Sequence, residues 1–284
     1  MSESVSTPPA SEHRVGSDLP FFVILAVVGG TYVVLLLGLL IADVAYMVTA
    51  GETASAWGPL GPILSALSKP EIQYSIKLSI ISCTATAILS VWVAVPIGYL
   101  LSRHRFFGRN LIDAILDIPI VLPPLVVGLS LLILFQFWPF HLASRLVVYQ
   151  IPAVILAQFM VAAAFAVRTM RHTFDQIDPR HEQVALTLGC SRAQAFGMVV
   201  LPEAGQGILT AATLAWARSL GEFGPLLVFA GATRNKTEVL STTVFLELSI
   251  GNLEAAVAVS LIMVFAAVTV LVIARTWGDR SLGL

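Results

Sequence analysis

The chain has 284 residues, of which 57% are hydrophobic and 12% charged, with a mean hydropathy of +0.88. A water-soluble globular chain of this size carries about 25% charged residues to solvate its surface, so this composition excludes one and defines a polytopic membrane protein. The net charge of -1, from 16 basic and 17 acidic residues, leaves no basic surplus for a nucleic-acid partner.

Residues 1–19 are rich in Ser, Thr, Pro and Glu and read as a disordered tail. The apolar run from Phe21 to Ala42 is longer than the ~7–15 residues of a cleaved signal core and reads as an uncleaved span. Residues 20–74 then comprise this first transmembrane helix and an outer loop. A core of five further helices fills 75–276, with spans near 75–101, 112–137, 148–170, 206–230 and 254–275. Each meets the ~20 residues needed to cross the hydrocarbon. The expected fold is therefore all-α and integral to the membrane, with six transmembrane helices and both termini on one side.

Charge placement orients it. Ten basic residues lie on one face: Arg103, Arg105 and Arg109 after span two, Arg168, Arg171, Arg180 and Arg192 after span four, and Arg14, Arg275 and Arg280 near the termini. Five lie on the other: Lys69, Lys77, Arg145, Arg234 and Lys236. The positive-inside rule puts both termini in the cytoplasm.

Within span three, Pro123-Pro124 must interrupt the helix, and freed carbonyls at membrane depth are tolerated only inside protein or against water. This stretch is expected to face a pore or a partner subunit. Asp113 and Asp117, one turn apart, are expected to be solvated or paired with Arg105 or Arg109.

The loop at 178–202 reads as helix–turn–helix. Asp178-Pro179 caps and opens a helix over 179–188, and Gly189 stops it. Ser191 with Gln194 forms a capping box for a second short helix, which Leu201-Pro202 ends. Val184, Ala185 and Leu188 offer an apolar docking face. A connector packed on its own bundle would have the same sequence. A DNA-binding unit is disfavoured, because the loop is clamped between two spans.

In span five, Arg218 lies about twelve residues in, where a charge costs roughly 2.5–3.5 kcal/mol or more. Glu222 is one turn on, within pairing reach. Two roles fit the pair: an ion pair joining helices, or the lining of a translocation path or its gate. Gly221, Phe223 and Gly224-Pro225 flank it, and a bend there serves either a gate hinge or close packing. The outer loop 231–253 carries Arg234, Lys236, Glu238, Glu247 and Asn252 and reads as a solvated segment or a partner contact. Trp92 and Trp216 read as bundle packing.

Glu182-Gln183-Val184-Ala185-x-x-x-Gly189, followed after nine residues by Val199-x-Leu201-Pro202, resembles the EAA loop of ATP-binding cassette (ABC) importer permeases. Glu182 stands one position early, Gln183 and Val184 replace the first two letters, and Val199 replaces Ile. Pro119-Ile120-Val121-Leu122-Pro123-Pro124-Leu125-Val126-Val127-Gly128 resembles the third-span segment of molybdate permeases. Ala217-Arg218-Ser219-Leu220-Gly221-Glu222-Phe223-Gly224 resembles a stretch shared by molybdate and sulfate permeases, with Phe223 where sulfate members tend to have Tyr. The chain length and first span look more like sulfate-type permeases. The similarity runs from about residue 75 to 275.

The resemblance implies the type I ABC importer permease fold, with a cytoplasmic coupling helix between helices 4 and 5. It implies a homodimer in the bacterial inner membrane, two cytoplasmic ATPase subunits that receive Glu182, Gln183, Val184, Ala185, Gly189, Leu201 and Pro202, and a periplasmic oxyanion-binding protein. Pro123, Pro124, Arg218, Gly221, Glu222 and Phe223 would line the path or gate. The implied cargo is molybdate, with sulfate or tungstate as alternatives; an ion-driven secondary transporter fits less well, because neither inverted repeats nor midplane ion ligands are clear. No phosphate-cradling loop, nucleophilic constellation or metal-ligand spacing stands in the sequence, so the chain is expected not to be an enzyme and to bind no cofactor or metal. ATP and Mg would belong to the ATPase.

Overall fold

The computed structural model describes residues 19–54 and 61–280. All regular structure among them is helical, and they divide into two units between Tyr46 and Met47. The expectation for the tail at 1–19 falls, except for Leu19, outside the described residues.

In the first unit, helix α1 (Leu19–Ala54, which runs on into the second) is apolar on every face, the pattern of a helix surrounded by lipid or protein. In the second unit, α2 (Gly61–Ser68) leads into α3 (Pro70–Arg103). The buried stripe of α3 is built of small residues, including Ser75, Ser79, Ser82, Cys83, Thr86, Ala87, Ser90 and Ala94. Small side chains let helix backbones approach closely, which replaces the hydrophobic drive that lipid removes. The partner of this stripe is α7 (Ile151–Gln176), which buries Ala153, Ala157, Ala162 and Ala166.

Between them the third span is broken, as the two prolines require. Helix α4 (Arg109–Val121) stops before Leu122-Pro123, and α5 (Pro124–Leu134) leaves at 112° to it. A short 3-10 turn and α6 (Ser144–Val147) lead on to α7. Helix α4 buries none of its side chains. It is fastened to α7 by ion pairs: Asp117 to Arg168 at 2.5 Å, and Asp113 to Arg171. This corrects the expected pairing with Arg105 or Arg109. The choice of partner depends on which helix packs beside α4, and local spacing does not contain that.

After α7, α8 (Pro179–Thr187) and α9 (Arg192–Ala195) form the expected helix–turn–helix. Leu201-Pro202 does not end the second helix. The chain stays helical through a π turn at Phe196–Val200 and α10 (Leu201–Glu203), one residue past Pro202. It then bends by 69° into α11 (Gly205–Leu220).

Helix α11 is shorter than the expected span 206–230. It ends at Leu220, and a second π turn follows at Leu226–Ala230. The outer loop folds into α12 (Leu240–Ser249), and α13 (Leu253–Arg280) closes the described chain. Among the described residues, four helices are long and apolar enough to cross a membrane, and up to six spans result if each bent pair counts as one. Trp92 stands 75% exposed rather than packed in the bundle. Trp216 does pack, and its indole N–H donates to Thr84 at 3.3 Å.

Candidate functional site

The two interrupted spans meet. An atom at the Cβ position of Gly128 would lie 2.8 Å from the Pro225 Cα, and one on Gly224 would lie 2.9 Å from the Leu125 nitrogen. The backbone after Pro123-Pro124 therefore packs directly on the Gly224-Pro225 turn, with no room for a side chain at either contact. The structure thus brings together two segments that the sequence reading treated apart. Phe223 adds an aromatic contact with Phe245 of α12, ring centroids 5.2 Å apart.

Arg218 and Glu222 sit beside this junction, at the end of α11. Their charged atoms are 2.7 Å apart, with Arg218 31% and Glu222 1% exposed. Glu222 Oε1 lacks a well-aligned donor, so the contact is ionic more than a directed hydrogen bond. The Arg218 guanidinium also lies 5.6 Å above the Phe165 ring. The hydroxyl of Ser241 donates to the Glu222 carbonyl at 2.5 Å, tying the turn to α12. Gly221 caps the helix, its N–H directed to the Ala217 carbonyl at 3.4 Å.

Gln158, which the sequence reading passed over, holds this region from behind. Wholly buried on α7, it donates to the Ser219 carbonyl at 3.3 Å, and its carbonyl oxygen accepts from Thr86 at 3.3 Å. One side chain thereby links α3, α7 and α11. A polar residue inside an apolar heptad-like face was the available signal.

On the α12 side, Glu247 is buried and satisfied by Arg234 at 2.8 Å and Asn252 at 2.9 Å, with Lys69 at 3.9 Å. Glu238 is also fully buried, and both its carboxyl oxygens lack a hydrogen-bond partner. Burial pushes its carboxyl above the usual carboxylate range, opposed by Thr243 and Arg234. Of the two readings of this loop, the solvated segment gives way to a folded cap with two buried carboxylates, Glu238 and Glu247. Among the described residues, no three His, Cys, Asp or Glu side chains converge to hold a metal.

At the other end lies the 178–203 loop. The Asp178 carboxylate accepts from the Arg180 N–H at 2.9 Å, and Ser191 with Gln194 completes the capping box. Gly189 has φ +94°, a backbone that side chains strain. Val184 is 56% and Leu188 80% exposed, an apolar pair outside the spans. Ala185 is buried, which removes it from the expected docking face. Gln183 follows Glu182 on the same helix, and Glu182 turns inward, its Oε1 accepting from the Tyr99 hydroxyl at 2.6 Å.

His181 lies 3.0 Å from Glu203, linking α8 to α10. That carboxylate raises the His181 pKa from its ordinary 6.5, so the link is strongest with the imidazole charged. Its stabilising effect should be complete below the unfolded value and fade as pH rises through the higher folded value. The difference in thermal stability between the wild type and His181→Gln, measured across pH 5–9, should therefore shrink toward alkaline pH.

A bundle of broken and intact apolar helices, with a structured loop at one end and a folded cap at the other, is the architecture of a polytopic membrane protein. The same fold is found in a bacterial alginate ABC transporter crystallised with its alginate-bound periplasmic protein (TM-score 0.73, 15% identity, covering 93% of this chain and 95% of that one). Residues 94–282 match the model of the binding-protein-dependent transport system inner membrane component family, and the chain belongs to that family. It is 32% identical to the sulfate transport system permease protein CysT of Salmonella typhimurium, over 75% of this chain and 79% of that protein. The molybdenum transport system permease protein ModB of Mycobacterium tuberculosis is also 32% identical, over 72% and 79%. The molybdate/tungstate permease WtpB of Pyrococcus abyssi is 36% identical, over 59% and 64%.

Proposed function

We propose that this chain is the membrane-spanning subunit of an ATP-driven importer that moves a tetrahedral oxyanion, most simply molybdate, into the cytoplasm. The observation that carries the reading is the α8–α9 unit, which holds Val184 and Leu188 in water beyond the spans, a small apolar surface that fits a groove on another protein. The kinship with sulfate, molybdenum and molybdate/tungstate permeases supports the cargo class. Phe223 favours molybdate or tungstate over sulfate.

In this reading two copies of the chain surround one path, with both termini and the α8–α9 loops in the cytoplasm. Each loop docks on one ATPase subunit, which alone carries ATP and Mg. A periplasmic binding protein delivers the oxyanion to the cap around α12. Closure of the ATPases displaces the loops and biases the bundle between inward- and outward-open states, which requires different contacts in the two states. Arg218 offers a cation to the passing anion, and its pairing with Glu222 keeps that attraction weak enough for release.

ATP hydrolysis by the complex in liposomes, with binding protein present, tests the proposal when molybdate, tungstate and sulfate are added separately. Stimulation by molybdate or tungstate supports it, and stimulation by sulfate alone moves the cargo to sulfate. Uptake driven by an ion gradient without ATP overturns it. Gly189→Trp, at a position with φ +94°, should abolish the stimulation while the chain still inserts.

A further inference from the structure

We propose that Tyr99 and Arg103 are positioning residues: they clasp Glu182 of the coupling helix, so that displacement of α8 is delivered to α3 inside the same chain. This rests on the importer reading above, but it assigns Glu182 a different task from the one its place in the EAA-like motif implies. There it would face the ATPase; here its side chain is 14% exposed and points into its own bundle.

Four observations support the clasp. The Tyr99 hydroxyl donates to Glu182 Oε1 at 2.6 Å, a short, charge-assisted bond. Arg103 Nη2 donates to the Ile177 carbonyl at 2.9 Å, the last residue before the turn into α8, so the same arginine grips the hinge as well as the helix. Its Nε is buried without a hydrogen-bond partner and stands 3.9 Å from Glu182 Oε2, about one ångström beyond an ordinary N–H···O distance. The Tyr99 ring is itself fixed edge-on by Phe174 of α7 and Phe196 of the π turn, with centroids 5.7 and 4.6 Å away. Tyr99 is therefore held rigidly while the Arg103–Glu182 contact has room to close.

That geometry suits transmission. A rigid donor keeps α8 and α3 moving together, and the unsatisfied Arg103 Nε provides a contact that differs between two positions of α8. Without such a differential contact, no displacement of the loop would bias the bundle. The adjacent residue, His181, reaches α10 instead, so consecutive side chains of α8 address two different parts of the chain.

The test is molybdate transported per ATP hydrolysed, in the reconstituted complex with its ATPase and binding protein. Tyr99→Phe keeps the aromatic packing and removes one hydroxyl. The ratio should fall about tenfold, the factor a charge-assisted hydrogen bond of ordinary strength controls, while the ATPase stays bound. Glu182→Gln should lower the ratio likewise, and the double variant should be no worse than the poorer single one. Arg103→Gln gives a second reading should Tyr99→Phe assemble poorly. A merely structural role would change the amount of assembled complex without changing the ratio. Wild-type ratios in both Tyr99→Phe and Arg103→Gln, losses that multiply in the double variant, or release of the ATPase by Glu182→Gln would overturn the clasp and leave the importer reading standing. An uncoupled wild type would overturn both.

Discussion

Gly128→Ala and Gly224→Ala should each reduce oxyanion uptake by an order of magnitude or more. The added methyl carbon meets backbone atoms, at 2.8 Å from the Pro225 Cα in the first case and 2.9 Å from the Leu125 nitrogen in the second. Backbone cannot rotate aside as a side chain does, so α5 and the Gly224-Pro225 turn must separate. Overpacking of this kind costs about 1–3 kcal/mol, and 1.4 kcal/mol is a tenfold change in an equilibrium. Uptake into proteoliposomes reads the functional loss, and thermal unfolding in detergent reads the strain. Since the two glycines border one junction, their double variant should lose less stability than the sum of the singles, because the first substitution already opens the contact. Additive losses would mean that the two broken spans do not act as one unit.

The second large effect belongs to Arg218 and Glu222. Arg218→Met leaves a carboxylate that is 1% exposed without its counter-ion, and breaking a buried pair in this way costs about 3–5 kcal/mol. The lower end applies here, because Arg218 itself is 31% exposed and partly screened. Replacing both, as Arg218→Met with Glu222→Leu, removes the charge imbalance and should restore most of the stability. Transport separates the two roles the sequence left open. If the pair lines the path, the double variant folds and still fails to move molybdate. If the pair only joins elements, transport recovers together with stability.

Much of the loop at 178–203 was legible because its signals are local. The Asp178 cap, the Gly189 stop and the Ser191–Gln194 box each act within one or two turns, so neighbouring letters suffice to place them. Pro123-Pro124 likewise announced a break, since a residue lacking an N–H cannot continue the helical bonding. Pro202 shows the limit of that rule. The helix carries on for one residue past it, to Glu203, before the chain bends.

What failed depended on a partner helix. Asp113 and Asp117 found Arg171 and Arg168 across the α4–α7 contact, although Arg109 lay one turn from Asp113 on the same helix. Ala185 turned inward while Val184 and Leu188 stayed in water, because the packing of α8 chose one of two plausible faces. Glu247 and Glu238, read as loop charges, are interior to the cap. Tyr99 and Gln158 carried no local motif at all.

The sequence by itself determined that this is an all-helical membrane protein, where the 178–203 loop is capped and the third span broken, and which family it joins, since hydropathy, caps, prolines and motif spacing are written in neighbouring residues. The tertiary structure alone decided that the two broken spans meet at Gly128 and Gly224, that Glu182 faces its own bundle, and that Glu247 is a buried hub rather than a surface charge. The physical reason is that burial and pairing belong to relations between helices distant in the chain, and a residue's chemistry fixes what it can bind without fixing which neighbour will be there to bind.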